Sequence, residues 1–166
     1  ENGECTLPVE WEFDISEAFF QSDYLPPEKV VFMQLPMKYT QGVKVWRRLK
    51  KEVPGTKLAP RRWYERINRF MVGHSTEHEL GMSMDRHKLD RALWSKRENG
   101  QLVAAVCLHV DDGFGRSTRE FFEEFSEALQ ETFKVGVCRE IVPGEKSEFA
   151  GVEKTCTSNG TVFVQH

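Results

Sequence analysis

Between residues 93 and 115 the sequence carries two turn signals in succession, and they constrain the fold more than any other stretch. Leu93-Trp94-Ser95 and residues 102–110 read as two strands joined through Glu98-Asn99-Gly100, where Asn-Gly supplies the positive φ angles of a tight hairpin. A second tight turn is expected at Asp111-Asp112, leading to a short strand around residues 113–115. Upstream, Val9, Trp11, Phe13 and Ile15 alternate with Glu10, Glu12 and Asp14, the period of a half-buried strand, with Asp14 on its polar face near the end.

Helices are expected around this sheet. Pro60 suits a first helical turn, Trp63, Ile67, Phe70 and Met71 fall on one face, and Gly73 can close the helix. Ser117-Thr118-Arg119-Glu120 reads as a capping box that opens a second helix with Phe121, Phe122, Phe125, Leu129 and Phe133 as its core stripe. Residues 16–22 read as a turn or short helix, and residues 29–35 as an extended run ended by Pro36. Residues 149–152 and 161–164 are expected to add a last pair of strands around Ser158-Asn159-Gly160. The fold class that follows is α+β, an antiparallel sheet with helices packed on one face.

Composition narrows the function classes. With 166 residues, 39% apolar and 11% aromatic, the chain can bury a core, and it reads as one domain or part of a larger one. No run of about 18 apolar residues is present, so no membrane-spanning helix is expected. Cys5, Cys107, Cys138 and Cys156 lie far apart, which fits free thiols better than a zinc cluster or a disulfide framework. The net charge is −3, yet residues 44–69 hold ten Lys/Arg against Glu52 and Glu65. Such a block is a candidate phosphate-contacting face, and equally a solvated helical face.

The carboxylates carry the chemistry. An Asp ending one strand and an Asp-Asp pair in a turn after another can converge at a sheet edge. Two divalent cations about 3.5–4 Å apart, held by such a set, serve phosphoryl transfer. The bland reading of an Asp-Asp turn is backbone capping.

Four segments carry a family resemblance in the same order. Phe13-Asp14-Ile15-Ser16-Glu17-Ala18-Phe19 resembles the first polymerase motif, Asp-Val-Lys-Thr-Ala-Phe, of copia-type retrotransposon reverse transcriptases. Val31-Phe32-Met33-Gln34-Leu35-Pro36 is similar to that family's Val-Tyr-Met-Glu-Gln-Pro. Gly55-Thr56-Lys57-Leu58-Ala59-Pro60-Arg61-Arg62-Trp63-Tyr64 is similar to its Gly-Leu-Lys-Gln-Ala-Pro-Arg-Ala-Trp-Tyr. His109-Val110-Asp111-Asp112 resembles Tyr-Val-Asp-Asp, and a weaker echo ends at Ala150-Gly151-Val152-Glu153.

The resemblance implies the palm of an RNA-directed DNA polymerase, with residues 1–166 as one fragment of a retroelement polyprotein. The N-terminal fingers and the C-terminal ribonuclease H region would lie outside it. Asp14, Asp111 and Asp112 would be catalytic, binding two Mg2+ or Mn2+ ions with help from the Ile15 carbonyl. Phe19, Gly55 and Lys57 would meet the deoxynucleoside triphosphate. Pro60, Arg61, Arg62, Arg66 and Arg69 would contact an RNA or DNA template with its primer. A cytoplasmic setting, in virus-like particles, is the family's. The bland alternatives are core packing for Phe19, a plain Pro-Gly turn for Gly55, and packing for Trp63 and Tyr64.

Departures bear on the expectation. His109 stands where the family has Tyr, Gly113-Phe114-Gly115 should loosen the strand after the turn, and Gly136 falls where a lysine general acid is common, with Lys134 nearby. Two competing readings remain: a catalytically inactive nucleic-acid-binding remnant, and a zinc metallopeptidase through His74, Glu77 and His78. The second needs both histidines on one helical face.

Overall fold

The computed structural model describes residues 7–75, 79–157 and 160–164. In chain order the strands are β1 (Val9–Ile15), β2 (Phe32–Gln34), β3 (Trp46–Arg48), β4 (Asp85–Arg86), β5 (Leu93–Glu98), β6 (Gln101–His109), β7 (Asp112–Ser117), β8 (Val135–Glu140), β9 (Lys146–Phe149), β10 (Val152–Thr157) and β11 (Gly160–Val164). Two α-helices, α1 (Ala59–Val72) and α2 (Arg119–Thr132), complete a mixed α+β architecture whose strand pairs are antiparallel. The chain divides into two compact units, Phe19–Arg66 and the remainder.

The larger unit is built on a six-stranded sheet in the order β4-β5-β6-β7-β1-β8. Strand β1 lies inside the sheet between β7 and the edge strand β8, and its large apolar odd positions Trp11, Phe13 and Ile15 are fully buried. They meet the stripe of α2: Trp11 lies 4.6 Å and Phe13 5.4 Å, centroid to centroid, from Phe125. Phe70 of α1 packs edge-on against Phe125 and Phe133, so both helices serve one core. The β5–β6 hairpin turns at Asn99 and Gly100, both at positive φ, as the Asn-Gly pair requires.

Strand β7 is not loosened by its glycines. It pairs with β1 from Asp112 to Ser117 and with β6 over the same residues. A Cβ on Gly113 would lie 2.1 Å from the Phe13 ring, and one on Gly115 2.4 Å from the Trp11 indole. The glycines make room for the aromatic partners directly opposite, Phe13↔Gly113 and Trp11↔Gly115. An aromatic side chain covering a cross-strand glycine restores the packing that the glycine lacks.

The cap of α2 also differs from the expectation. Its N-cap is Thr118, whose hydroxyl accepts the Phe121 amide at 3.3 Å. Ser117 instead ends β7, and its hydroxyl accepts the Trp11 indole N–H at 2.9 Å. No Ser117–Glu120 capping box forms at this helix start, because that hydroxyl already serves the core.

The C-terminal strands form a separate three-stranded sheet, β11-β10-β9. Residues 149–152 are chiefly the turn between β9 and β10, and β11 pairs along the whole of β10 except Val152. Lys154 and Cys156 on β10 are buried. Phe149 lies 6.0 Å from Phe114 of β7, and the Ile141 carbonyl accepts the Cys156 thiol. Cys107, Cys138 and Cys156 are free thiols, and burial pushes the Cys107 thiol up to about 11; Cys5 lies outside the described residues.

The smaller unit centres on Glu52, one of only two acids in the basic block. It is 2% exposed, takes a hydrogen bond from the Thr56 hydroxyl at 2.6 Å, pairs with Lys29, and has Arg62 at 4.0 Å. The bonds from Lys29 and Thr56 hold its carboxyl below the usual value despite burial. Glu52→Ala removes the hydrogen bonds from Lys29 and Thr56, and since Lys29 keeps contact with solvent the cost is expected to be about 1.5–3 kcal/mol, that of a hydrogen bond to a charged group. Hydrogen exchange over residues 25–56 is expected to accelerate in this variant, while amides of β6 and β7 keep their protection. The Glu52 contribution is complete above the unfolded carboxyl value and disappears as pH falls through the depressed folded one. No described helix is long and apolar enough to cross a membrane.

Candidate active site

The outer face of β1 carries Glu10, Glu12 and Asp14 in a row, and the cross-strand partners on β7 are Arg116, Phe114 and Asp112. Partners directly opposite in an antiparallel pair project from the same face, Cα atoms about 4.5–5.5 Å apart. Asp14 and Asp112 are such partners. Asp111 joins them from the turn, because its carbonyl accepts the Ile15 amide at 3.0 Å and ties the turn to the end of β1.

The turn itself is Val110-Asp111, with His109 paired to Asp112, rather than Asp111-Asp112 as the sequence suggested. Val110 sits at φ +60°, a conformation that a β-branched residue adopts only when its surroundings enforce it. The buried residues Ala104, Val106 and Leu108 anchor the β6 arm of this hairpin.

Charge bookkeeping along the row separates Asp14 from its neighbours. Glu10 pairs with Arg116 at 3.8 Å, and Glu12 with Arg139 at 2.6 Å and Lys154 at 3.3 Å. Among the described residues no Lys, Arg or His forms an ion pair with Asp14, Asp111 or Asp112. Burial, then the charges of Asp111 and Asp112, raise the Asp14 carboxyl above its ordinary value. Burial likewise raises Asp112, opposed chiefly by the Ala150 amide, which donates to its Oδ2 at 3.1 Å. Like charges opposite one another are unfavourable, so this edge is a place where a cation would be stabilised. Among the described residues no three His, Cys, Asp or Glu side chains already surround a common point.

Two further residues frame Asp14. The pairing of β1 with β8 shifts register between Asp14 and Ile15, with Asp14 opposite Val137 and Ile15 opposite Val135. Gly136 is the extra residue of this bulge. A Cβ there would come within 2.6 Å of Asp14 Oδ2 and 2.9 Å of Ser16 Oγ. Any larger residue would displace the carboxylate, which gives a physical reason for glycine at 136. Lys134 pairs with Glu17 at 2.9 Å.

Comparison with family models, with curated proteins and with solved structures finds no match. Residues and geometry are therefore the grounds for function.

The remaining candidates fall in several settings. Phe19 is half-buried in the 3-10 turn Ala18–Gln21 that follows β1. Gly55 has φ +89° in the Val53–Thr56 turn, closed by the Thr56 amide on the Val53 carbonyl at 3.1 Å, with open space beside it. Lys57 and Pro60 are exposed, Pro60 in the first turn of α1. Arg61 is 76% exposed and pairs with Glu65, Arg62 lies near Glu52, Arg66 lies 3.7 Å from Asp23, and Arg69 pairs with Glu79. All four arginines thus face acids of their own unit, and exposure separates them: Arg62 and Arg66 are the more buried, Arg61 and Arg69 the more exposed. Trp63 is buried in packing and Tyr64 is half-buried.

A different aromatic pair was missed by motif reading. Phe32 and Trp46 stand 58% and 57% exposed on the β2–β3 hairpin, opposite Arg48 and Gln34. Aromatics interleaved with basic residues were the available signal. The peptidase alternative loses its premise at His74, which lies beyond α1 in an isolated bridge to Met82, its Nδ1 2.7 Å from Ser83 Oγ. Glu77 and His78 lie outside the described residues.

Proposed function

We propose that this chain is the palm-like part of an RNA-directed DNA polymerase of the copia-type retrotransposon class, catalysing nucleotidyl transfer to a primer 3′-hydroxyl. The observation that carries the proposal is the placement of Asp14 opposite Asp112, with Asp111 tied beside them, all without an internal cation partner among the described residues. A set of oxygen donors on rigid paired strands is what Mg2+ or Mn2+ takes. Asp14 and Asp111 are the proposed ligands, with the Ile15 carbonyl as an additional donor and Asp112 as a supporting carboxylate. Divalent cations, if held by Asp14 and Asp111, would supply acidification of the attacking hydroxyl and neutralisation of the triphosphate.

The protein's part is positioning. The β1–β7 ladder fixes the carboxylates, and the Ala150 amide orients Asp112. Phe19 would disfavour a ribose 2′-hydroxyl, since an apolar slot cannot satisfy the added polar group. Gly55 would admit close backbone approach of the nucleotide or template, and Lys57 would supply a positive charge. Pro60, Arg61 and Arg69 would meet the backbone of a primed RNA or DNA template.

Trp46 and Phe32 fit stacking on unpaired template bases. Trp46→Ala is expected to weaken binding of a single-stranded oligonucleotide by about 1–3 kcal/mol, measured by fluorescence anisotropy at fixed salt. Equal binding by the variant would remove Trp46 from the interface.

The deciding experiment offers the chain a DNA primer on an RNA template with deoxynucleoside triphosphates and Mn2+. It also follows Mn2+-induced NMR broadening at Asp111 and Asp112. Broadening and primer extension, both lost in Asp111→Asn, are expected. Absence of broadening at the carboxylates overturns the two-metal reading. Broadening and template binding without extension would identify the inactive remnant.

A further inference from the structure

The three-stranded sheet brings to the carboxylate edge one cation that none of the sequence motifs marks. Lys154 is 1% exposed, and its Nζ lies 3.3 Å from Glu12 Oε2 and 4.0 Å from the centre of the Phe114 ring. Glu12 also takes the Arg139 guanidinium at 2.6 Å, and Arg139 pairs in turn with Glu145. Glu12 and Phe114 are cross-strand partners one step along the same face from Asp14 and Asp112. Four residues before Lys154, in the β9–β10 turn, the Ala150 amide holds Asp112 Oδ2 at 3.1 Å. Ala150 does so at φ +52°, a conformation that an isolated loop would not favour.

Burying an ammonium group costs several kcal/mol, and an apolar residue of similar length would hold two sheets together at least as well. Burial indeed lowers the Lys154 ammonium from its ordinary value, opposed by Glu12. Docking alone therefore does not account for a lysine here. Its charge does have a use at this place. Glu12 is fixed between two cations, Phe114 is fixed beneath the ammonium, and the turn carrying Ala150 is set against Asp112.

We propose that Lys154 is a positioning residue that seats the three-stranded sheet on Glu12 and Phe114 so that the Ala150 amide holds Asp112 within the divalent-cation site. The cation site itself rests on the proposed function. The positioning of Asp112 is separately observable. Lys154 is buried, and its effect passes through Asp112.

The test compares Lys154→Met with Lys154→Arg, using Mn2+ alone as the probe and the Ala150 amide proton resonance as a metal-free readout. Outer partners of metal ligands typically change metal affinity by about 10–100-fold. Lys154→Met is expected to weaken Mn2+ binding about tenfold and to lose the downfield shift of the carboxylate-bonded Ala150 amide. Lys154→Arg, which keeps the charge, is expected to restore both. Unchanged Mn2+ affinity together with an unchanged Ala150 shift in folded Lys154→Met overturns the proposal. Should Lys154→Met unpack the sheet, Lys154→Arg decides, because a folded Arg variant without the Ala150 shift also overturns it. If the unmodified chain binds no Mn2+, the polymerase reading fails, while the Ala150 resonance still reports on Lys154.

Discussion

Replacing Asp14 by Asn is expected to abolish the proposed nucleotidyl transfer and, in the same protein, to raise the stability of the metal-free fold. Asp14 is a proposed cation ligand, and metal-assisted charge stabilisation is worth several kcal/mol, so primer extension should fall by about 10³-fold or more. The opposite effect on stability follows from the pairing of Asp14 with Asp112 and from the raised Asp14 carboxyl. Opposed like charges cost about 0.2–1 kcal/mol, and Asn keeps the shape without the charge. The folded chain holds the Asp14 proton more tightly than the unfolded chain, so Asp14 opposes folding once pH rises through its raised folded value. The gain in Asp14→Asn is therefore complete above that value and vanishes below the unfolded value of 3.8. Urea titrations at pH 7 and pH 3.5, with and without Mn2+, measure all of this. Added Mn2+ should stabilise the parent and leave Asp14→Asn unaffected. If Asp14→Asn were less stable at pH 7, Asp14 would be a structural carboxylate and the case for a cation at this edge would fail.

What could be read in the sequence was local. The alternation through residues 9–15, the Asn99-Gly100 hairpin and the apolar stripe of α2 each depend on neighbours within a turn or a strand. One-residue errors appeared where a distant group decided the outcome. Thr118 caps α2 because the Ser117 hydroxyl is taken by Trp11, 106 residues away. The turn lies at Val110-Asp111 because Asp112 is committed to the ladder opposite Asp14 and His109. Asp14, Asp111 and Asp112 stand out in the sequence by their places in the motifs, but their charge environment does not. Lys154 reaches Glu12, and Lys29 reaches Glu52, only once strands and loops distant in sequence have met. Each would pass in the sequence for an ordinary surface lysine. Gly136 was noticed for the lysine it replaces, while the register shift that sets it against Asp14 is a property of two paired strands.

Gly113→Val is expected to be among the most damaging single substitutions in the chain. Strand propensity alone favours valine. Space decides against it, because even the first added carbon would fall 2.1 Å from Cε1 and Cζ of Phe13. Phe13 cannot move aside cheaply, being 1% exposed and packed against Trp11 and Phe125. Overpacking of this kind costs about 1–3 kcal/mol, and more where the neighbours are rings in a filled core. A loss of about 3 kcal/mol or more is expected in chemical denaturation of Gly113→Val, with Gly113→Ala somewhat milder. Exchanging the sizes across the pair tests the cause. Phe13→Ala alone opens a cavity costing about 3–5 kcal/mol. Phe13→Ala with Gly113→Val should recover at least about 1 kcal/mol relative to the sum of the singles, since residues in direct contact couple on that scale. Additive losses would mean that the Phe13 ring yields readily and that glycine at 113 has some other cause. Recovery would place the same aromatic–glycine exchange beneath both carboxylate strands, because Phe13 and Gly113 are the residues that flank Asp14 and Asp112 in the ladder. The inner face of that ladder then determines how rigidly its outer face presents the two carboxylates.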